Sequence, residues 1–250
     1  MRVELYAITP NAELVIEHAA RCCYDSENKI GDKVNGEFLM SLIRQGHTSV
    51  LEHATATFVI SGVTRALSHQ LVRHRIASYS QKSQRYVKEG EVATNYSMPD
   101  SFDTCEFIDD FTDHMELTEE RYNAYIANGI PAEDARAILP NATHTKLYMT
   151  MNMAQWRWFL HMRGSRKAQK EIRRMAFMIW EQLKTVCPHI FSDFRYQQAY
   201  PNDPNFSIER PDYINPKGYI WYKGRTYKTA DLINTYRERN NLNATEKEKE

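Results

Sequence analysis

An α+β fold, with a mixed sheet flanked by helices, some of them long, is what this sequence predicts, and three observations predict it. Strand-like and helix-like stretches are interspersed without the regular βαβ rhythm of a doubly wound protein. Neither GxGxxG nor GxxxxGKS/T occurs, so the glycine loops of the common nucleotide folds are missing. At 250 residues with no internal repeat, the chain has the length of one large domain.

The elements follow in order. RVELYAI alternates as a strand does, Pro10 marks a turn, and Asn11 is placed to cap a helix through LVIEHAARCCY. EFLMSLIRQ has apolar residues at helical spacing and stops at Gly46, while HATATFVISG alternates again up to Gly62. Thr64 caps a helix written TRALSHQLVRHR. The polar, turn-rich stretch after Tyr86 leads to a helix over about 109–128, ended by Gly129. Pro131 opens a short helix, AEDARAIL, and TKLYMTM reads as a strand. Asn152 caps MAQWRWFLHMR, Gly164 ends it, and a long helix follows over about 166–187 with Ile172, Met175, Ala176, Ile179 and Leu183 on one face. A late hairpin around Lys223-Gly224, a short helix and a solvated tail close the chain.

Composition narrows the function. Lys plus Arg and Asp plus Glu are both 32, so the chain is not a general polyanion binder, and any anion must meet a local cluster. Cys22, Cys23, Cys105 and Cys187 form no CxxC pattern, which suits reduced thiols in the cytoplasm. Charge and Pro10 interrupt the N-terminal stretch before any apolar run reaches signal length, and no run approaches a membrane span. No HExxH or clustered His/Cys spacing occurs, so no metal is expected.

The cluster is RHRIASYSQKSQRY, residues 73–86. Helical residues step about 100°, so Arg73, His74 and Arg75 fan apart and imply two anionic neighbours, with Gln70 on the Arg73 face. Ser83 and Arg85, two apart in an extended loop, form a hydroxyl and guanidinium cradle for phosphate. A solvated basic helix end is the plainer alternative. A second stripe runs Asn152, Trp156, Phe159, Arg163, apolar with a polar group at each end. Arg136 has Glu133 within reach as a surface partner.

These residues resemble the signature of flavin-dependent thymidylate synthases: RHR, seven intervening residues, Ser, one residue, Arg. AARCCY, GHTSVLEHATATF, GIPAEDARAILP and MTMNMAQWRWFLHMR support it in family order. The resemblance implies a thymidylate synthase-complementing-protein-like catalytic domain over residues 1–195, with 196–250 as an extension. It implies conversion of dUMP to dTMP with 5,10-methylenetetrahydrofolate as carbon donor and bound FAD, reduced by NADPH, as hydride source, tetrahydrofolate being released. Gln70, Arg73, Gln81, Lys82, Ser83, Gln84 and Arg85 would hold dUMP, with Arg136 reaching in from a neighbouring subunit. Arg163 would favour ionisation at uracil N3, and His47 would stand near the flavin and folate face, these two being the catalytic pair.

Cys23, Ser49, Glu52, Arg73, His74, Arg75, Gln81, Asn152 and Trp158 would form the FAD site. A cytoplasmic homotetramer with shared sites, and no nucleic-acid or membrane partner, completes the implication. Ser80 and Gln81 stand where the family often has Asn and Glu, Ala154 where many members have Arg, and Trp158 where they have Asn or His. The rival class is a nucleotide- or RNA-binding module using residues 73–86 and their tyrosines, which predicts a colourless protein with salt-sensitive binding. A cysteine-dependent synthase would have to use Cys187, a thiol beside Pro188 at a helix end that is expected to be buried.

Overall fold

The computed structural model describes residues 1–102, 106–197, 207–209, 214–215, 219–222 and 225–228. β1 (Arg2–Ile8) leads through α1 (Ala12–Cys23), α2 (Gly36–Arg44) and a 3-10 turn at Ser49–His53 into β2 (Thr55–Thr64). α3 (Arg65–Leu71) and β3 (Ser78–Gln81) follow, then α4 (Ile108–Ala127) and α5 (Ala132–Ala135). β4 (His144–Asn152) runs directly into α6 (Met153–Arg163), and α7 (Lys170–Val186) completes the α+β arrangement.

The sheet has the order β1-β2-β4-β3 with every neighbouring pair antiparallel, so it is not the mixed sheet expected: no crossover brings a strand back parallel to its neighbour. Period-two alternation gives it one apolar face: Ala56, Phe58 and Ile60 from β2 lie beside Leu147, Met149 and Met151 from β4, all buried. Phe58 pairs with Met149 at the centre. Trp156 of α6 packs edge-on to Phe58 at 5.0 Å, and its indole N–H donates to Ala56 O at 3.1 Å, satisfying the polar edge of a fully buried ring. α7 buries the expected face, with Ile172, Met175, Ala176, Ile179 and Leu183 at zero exposure.

Several boundaries differ from the sequence reading. Asn11 is not a side-chain cap: it adopts the left-handed conformation (φ 51°) and makes no side-chain cap bond, and its carbonyl instead accepts from Leu14 and Val15 N–H. β2 continues past Gly62, where a bulge with φ 63° shifts the register between Ser61 and Val63. Thr64 caps α3 as expected, accepting from Leu67 N–H at 3.0 Å; it also donates to Glu171 at 2.6 Å, tying α3 to the first turn of α7. α3 stops at Leu71, so Arg73, His74 and Arg75 lie on a turn and the helical fan does not apply. Ser83 and Arg85 are not in an extended loop either: Val87 N–H bonds Ser83 O at 3.0 Å, and Ser83 Oγ accepts from Arg85 N–H at 3.2 Å. α7 begins at Lys170 because the chain first turns through Ser165 to Gln169.

β5 (Arg195–Gln197) pairs with β6 (Ser207–Glu209), whose Ile208 is buried in the main core. Ile208 N–H donates to Gly164 O at 2.9 Å, and a Cβ at Gly164 would lie 3.0 Å from the Ile208 side chain and 2.6 Å from Leu160 O, so this approach requires glycine. β7 (Ile214–Asn215), β8 (Tyr219–Tyr222) and β9 (Arg225–Lys228) form an antiparallel sheet, in which β8 and β9 pair on either side of Lys223-Gly224. The short helix and tail expected beyond them lie outside the described residues. Among the described residues no helix is long and apolar enough to cross a membrane.

Candidate active site

The turn after α3 alternates: Arg73 is exposed, His74 is 8% exposed, and Arg75 is exposed. Two other elements hold it. From the end of α6, Arg163 Nε donates to His74 Nε2 at 2.9 Å and Arg163 Nη2 donates to Gln70 O at 2.9 Å. From β3, the Tyr79 hydroxyl donates to Leu71 O at 2.7 Å and lies 3.1 Å from His74 O. The Gln70 side chain donates to Gln169 just before α7. Orphan carbonyls at a helix end need donors, and here side chains distant in sequence supply them.

The electrostatics follow from that geometry. Burial first, and the Arg163 charge second, lower the His74 pKa to about 4. An imidazole accepting at Nε2 is neutral and carries its proton on Nδ1. Its ring meets Phe159 edge-on at 5.3 Å, closing the inner side. Burial, then the neighbouring Arg73, lowers Arg163 below the ordinary guanidinium value, opposed by Tyr79. Burial raises Tyr79 to about 12, so the hydroxyl keeps its proton and remains a donor. The expected stripe on α6 is therefore real: Asn152 caps by accepting from Gln155 N–H at 2.8 Å, Trp156 and Phe159 are core, and Arg163 reaches out at the far end.

A second group forms around residues 82–89. Arg85 Nε donates to Glu133 Oε2 at 3.0 Å, and Arg136 Nε donates to the Glu133 carbonyl at 3.0 Å, so one residue gathers both arginines. Lys82 pairs with the buried Glu89 at 2.7 Å. Burial, then the Arg136 charge, lowers the Arg65 pKa while Glu89 raises it, which places Arg65 in the same cluster. Gln84 is buried with its Nε2 unpartnered. Gln81 donates to Thr145 Oγ1 at 3.1 Å.

A third group lines a cavity of about 400 Å³ bounded by Cys23, Tyr24, His47 and Ser49. Tyr24 Oη lies 2.6 Å from His47 Nδ1 with the rings stacked at 16°. Glu52 is exposed on the adjoining 3-10 turn, and Trp158 is half exposed on α6, against His161. A larger cavity of about 710 Å³ lies between α4 and the start of α7 and shares Gln169 with the first group. Among the described residues no hydrogen bond or ion pair joins the three groups to one another. Tyr79, Tyr24, Glu133 and Gln169 escaped the sequence reading as site residues. Of these Tyr24, Tyr79 and Glu133 lie inside the quoted motifs, Glu133 also at a telling spacing from Arg136, while Gln169 carried no signal.

Fold and site together define an α+β protein that presents two arginines from a turn beside a sheet edge, with a third, at the end of α6, seated on a neutral histidine of that turn. The family described as thymidylate synthase complementing protein matches residues 4–189. A flavin-dependent thymidylate synthase of Geobacter sulfurreducens is 42% identical over 200 residues, spanning 77% of this chain and 86% of that protein. The Mycobacterium tuberculosis protein of the same name is 39% identical over 196 residues, 72% of this chain and 78% of its own. The crystal structure of thymidylate synthase X from Helicobacter pylori with FAD and dUMP superposes with a TM-score of 0.67 at 25% identity, covering 77% of this chain and 98% of that one. The chain belongs to the flavin-dependent thymidylate synthase family.

Proposed function

We propose that the protein converts dUMP to dTMP in the cytoplasm, taking one carbon from 5,10-methylenetetrahydrofolate and using FAD reduced by NADPH. The observation that carries this reading is the seating of Arg163. Two of its nitrogens are committed to His74 and to the Gln70 carbonyl, which fixes the guanidinium in place with Nη1 left for a ligand. A cation fixed beside uracil N3 stabilises the N3 anion and makes C5 electron-rich without a covalent adduct. Cys187 supports no thiol route, since it is fully buried and burial raises its pKa to about 12.

The remaining residues divide the substrate between them. Gln70, Arg73 and Arg163 meet the base side of dUMP. Gln81, Lys82, Ser83, Gln84 and Arg85, with Arg136, meet its phosphate side. Glu133 holds Arg85 and Arg136 together, so where Arg136 enters a neighbouring subunit's site, Arg85 enters with it. A homotetramer whose sites are shared between subunits is proposed with it.

The donor set also suits FAD. Among the described residues Arg73 and Arg75 are paired with no carboxylate and both face solvent, as a diphosphate requires. Cys23, Ser49, Glu52, Gln81, Asn152 and Trp158 would complete its site, with His47, set by Tyr24, on the folate side. Bound FAD would supply the hydride that reduces the transferred carbon to a methyl group. Residues 1–195 are proposed as the catalytic unit and 196–250 as an addition, one strand of which seats Ile208 in the core.

Arg163→Lys tests the reading. Its ammonium lacks the planar fork that lets two bonds fix an orientation and leave a third nitrogen aimed, so turnover is expected to fall roughly 100-fold or more, with FAD still bound. Full activity in that variant would count against it.

A further inference from the structure

We infer that His74 is the positioning residue that aims Arg163, and that its imidazole serves the guanidinium rather than the flavin. The inference rests on the proposed function and assigns a role within that site.

Three observations carry it. His74 is 8% exposed, between two exposed arginines, so the turn directs this one side chain inward. Its Nε2 is occupied by Arg163 Nε at 2.9 Å, and its ring packs edge-on with Phe159 at 5.3 Å. Its backbone is pinned as well, since the Tyr79 hydroxyl lies 3.1 Å from His74 O and His74 N–H donates to Leu71 O at 3.0 Å. A group held at its side chain and at its backbone on both sides has little freedom left.

The chemistry fits a neutral acceptor. A carboxylate at this position would pair fully with Arg163 and quench the charge that the substrate needs, whereas an apolar residue would leave Nε–H unbonded and the guanidinium held at one point only, through Gln70 O. A neutral imidazole accepts one hydrogen bond, fixes the plane of the guanidinium and leaves its full positive charge for the ligand. Arg163 Nη2 is fixed by Gln70 O, so two points set the plane and Nη1 is aimed. Arg73 and Arg75, exposed on either side, are the residues of the turn left for anionic ligands.

The test compares His74→Phe, which keeps the ring against Phe159 without an acceptor, with His74→Gln, whose amide oxygen can stand where Nε2 stands. FAD affinity, the KM for dUMP and kcat for dTMP formation are measured for each. The expected result is that both variants bind FAD like the wild type, that His74→Phe loses roughly 10- to 100-fold in kcat, the scale of one hydrogen bond to a charged group, and that His74→Gln recovers most of it. Loss of FAD from both variants would overturn the inference and return His74 to the flavin. Equal loss of kcat in both, or no loss in either, would overturn it too.

If His74→Phe does not fold, nitrogen-15 NMR of the wild-type histidines decides. An unprotonated Nε2 with a protonated Nδ1 on His74 supports the inference, and a protonated Nε2 refutes it. A wild-type protein that forms no dTMP would sink the proposed reaction, while the NMR result would still report on the Arg163–His74 bond.

Discussion

Removing one hydroxyl should loosen the turn that carries the site. Tyr79→Phe keeps the ring and deletes the donor that reaches Leu71 O at 2.7 Å and His74 O at 3.1 Å. The hydroxyl has one proton, so a single hydrogen bond is lost, shared between the two carbonyls; Leu71 O retains His74 N–H at 3.0 Å, which leaves the His74 carbonyl without a protein donor. A net hydrogen bond is worth about 0.5–1.5 kcal/mol and an orphaned buried carbonyl costs somewhat more, which sets the loss near 1–2 kcal/mol. For a chain of this length that corresponds to a fall in Tm of roughly 2–8 °C by calorimetry. The same slack reaches Arg73 and His74, so the KM for dUMP should rise about three- to tenfold, equivalent to about 1 kcal/mol. An unchanged Tm with an unchanged KM would refute the view that Tyr79 holds this turn.

Three further outcomes are expected. His74 titrates at about 4 when folded against 6.5 for the free side chain, so between those values the unfolded chain binds the extra proton and stability rises with pH. The contribution is complete above pH 6.5 and is on the order of 3 kcal/mol across the window; urea unfolding at the two ends should show the wild type losing more on acidification than His74→Gln, and equal losses would contradict a buried neutral imidazole. Gly36→Ala places a methyl into the His189 ring, which is anchored to Glu13 at 2.7 Å, so the variant should lose about 1–3 kcal/mol, and a His189→Ala background should remove that cost in a double-mutant cycle. Cys187→Ser should keep turnover within about twofold while losing about 1 kcal/mol or more of stability through burial of a hydroxyl, and abolished turnover would revive a thiol mechanism.

Much of the fold could be read from the sequence because its signals are local. Thr64 and Asn152 announce helix starts by chemistry that acts within three residues, and both side chains cap as their identity predicts. The face of α7 follows from spacing alone. The end of α3 does not, since the chain leaves the helix where Arg163 and Tyr79, 93 and 8 residues away, take its carbonyls. A window around Leu71 contains Tyr79 but not Arg163, and nothing in it marks Tyr79 as the donor. Gly62 shows the opposite error: a glycine that reads as a stop is a bulge inside a strand, because β4 supplies pairing on both sides of it.

The site divides in the same way. Arg73, Arg85 and Arg163, the arginines proposed for the site, are legible from residue type and pattern, and the stripe from Asn152 to Arg163 stands as spacing indicates. The sense in which they meet is tertiary. The sequence reading set Ser83 and Arg85 with Arg73 and brought Arg136 from elsewhere, whereas in one chain Glu133 binds Arg85 and Arg136 together. Tyr79 lies within RHRIASYSQKSQRY, yet its role is not legible there because its work depends on a carbonyl that only the folded turn presents.

The central claim is tested most directly by incubating the purified protein with dUMP, 5,10-methylenetetrahydrofolate and NADPH and following the nucleotide by chromatography. The account predicts a yellow protein whose flavin absorbance bleaches with NADPH and which forms dTMP with tetrahydrofolate as co-product. A colourless protein that forms no dTMP and instead binds RNA in a salt-sensitive manner would contradict it.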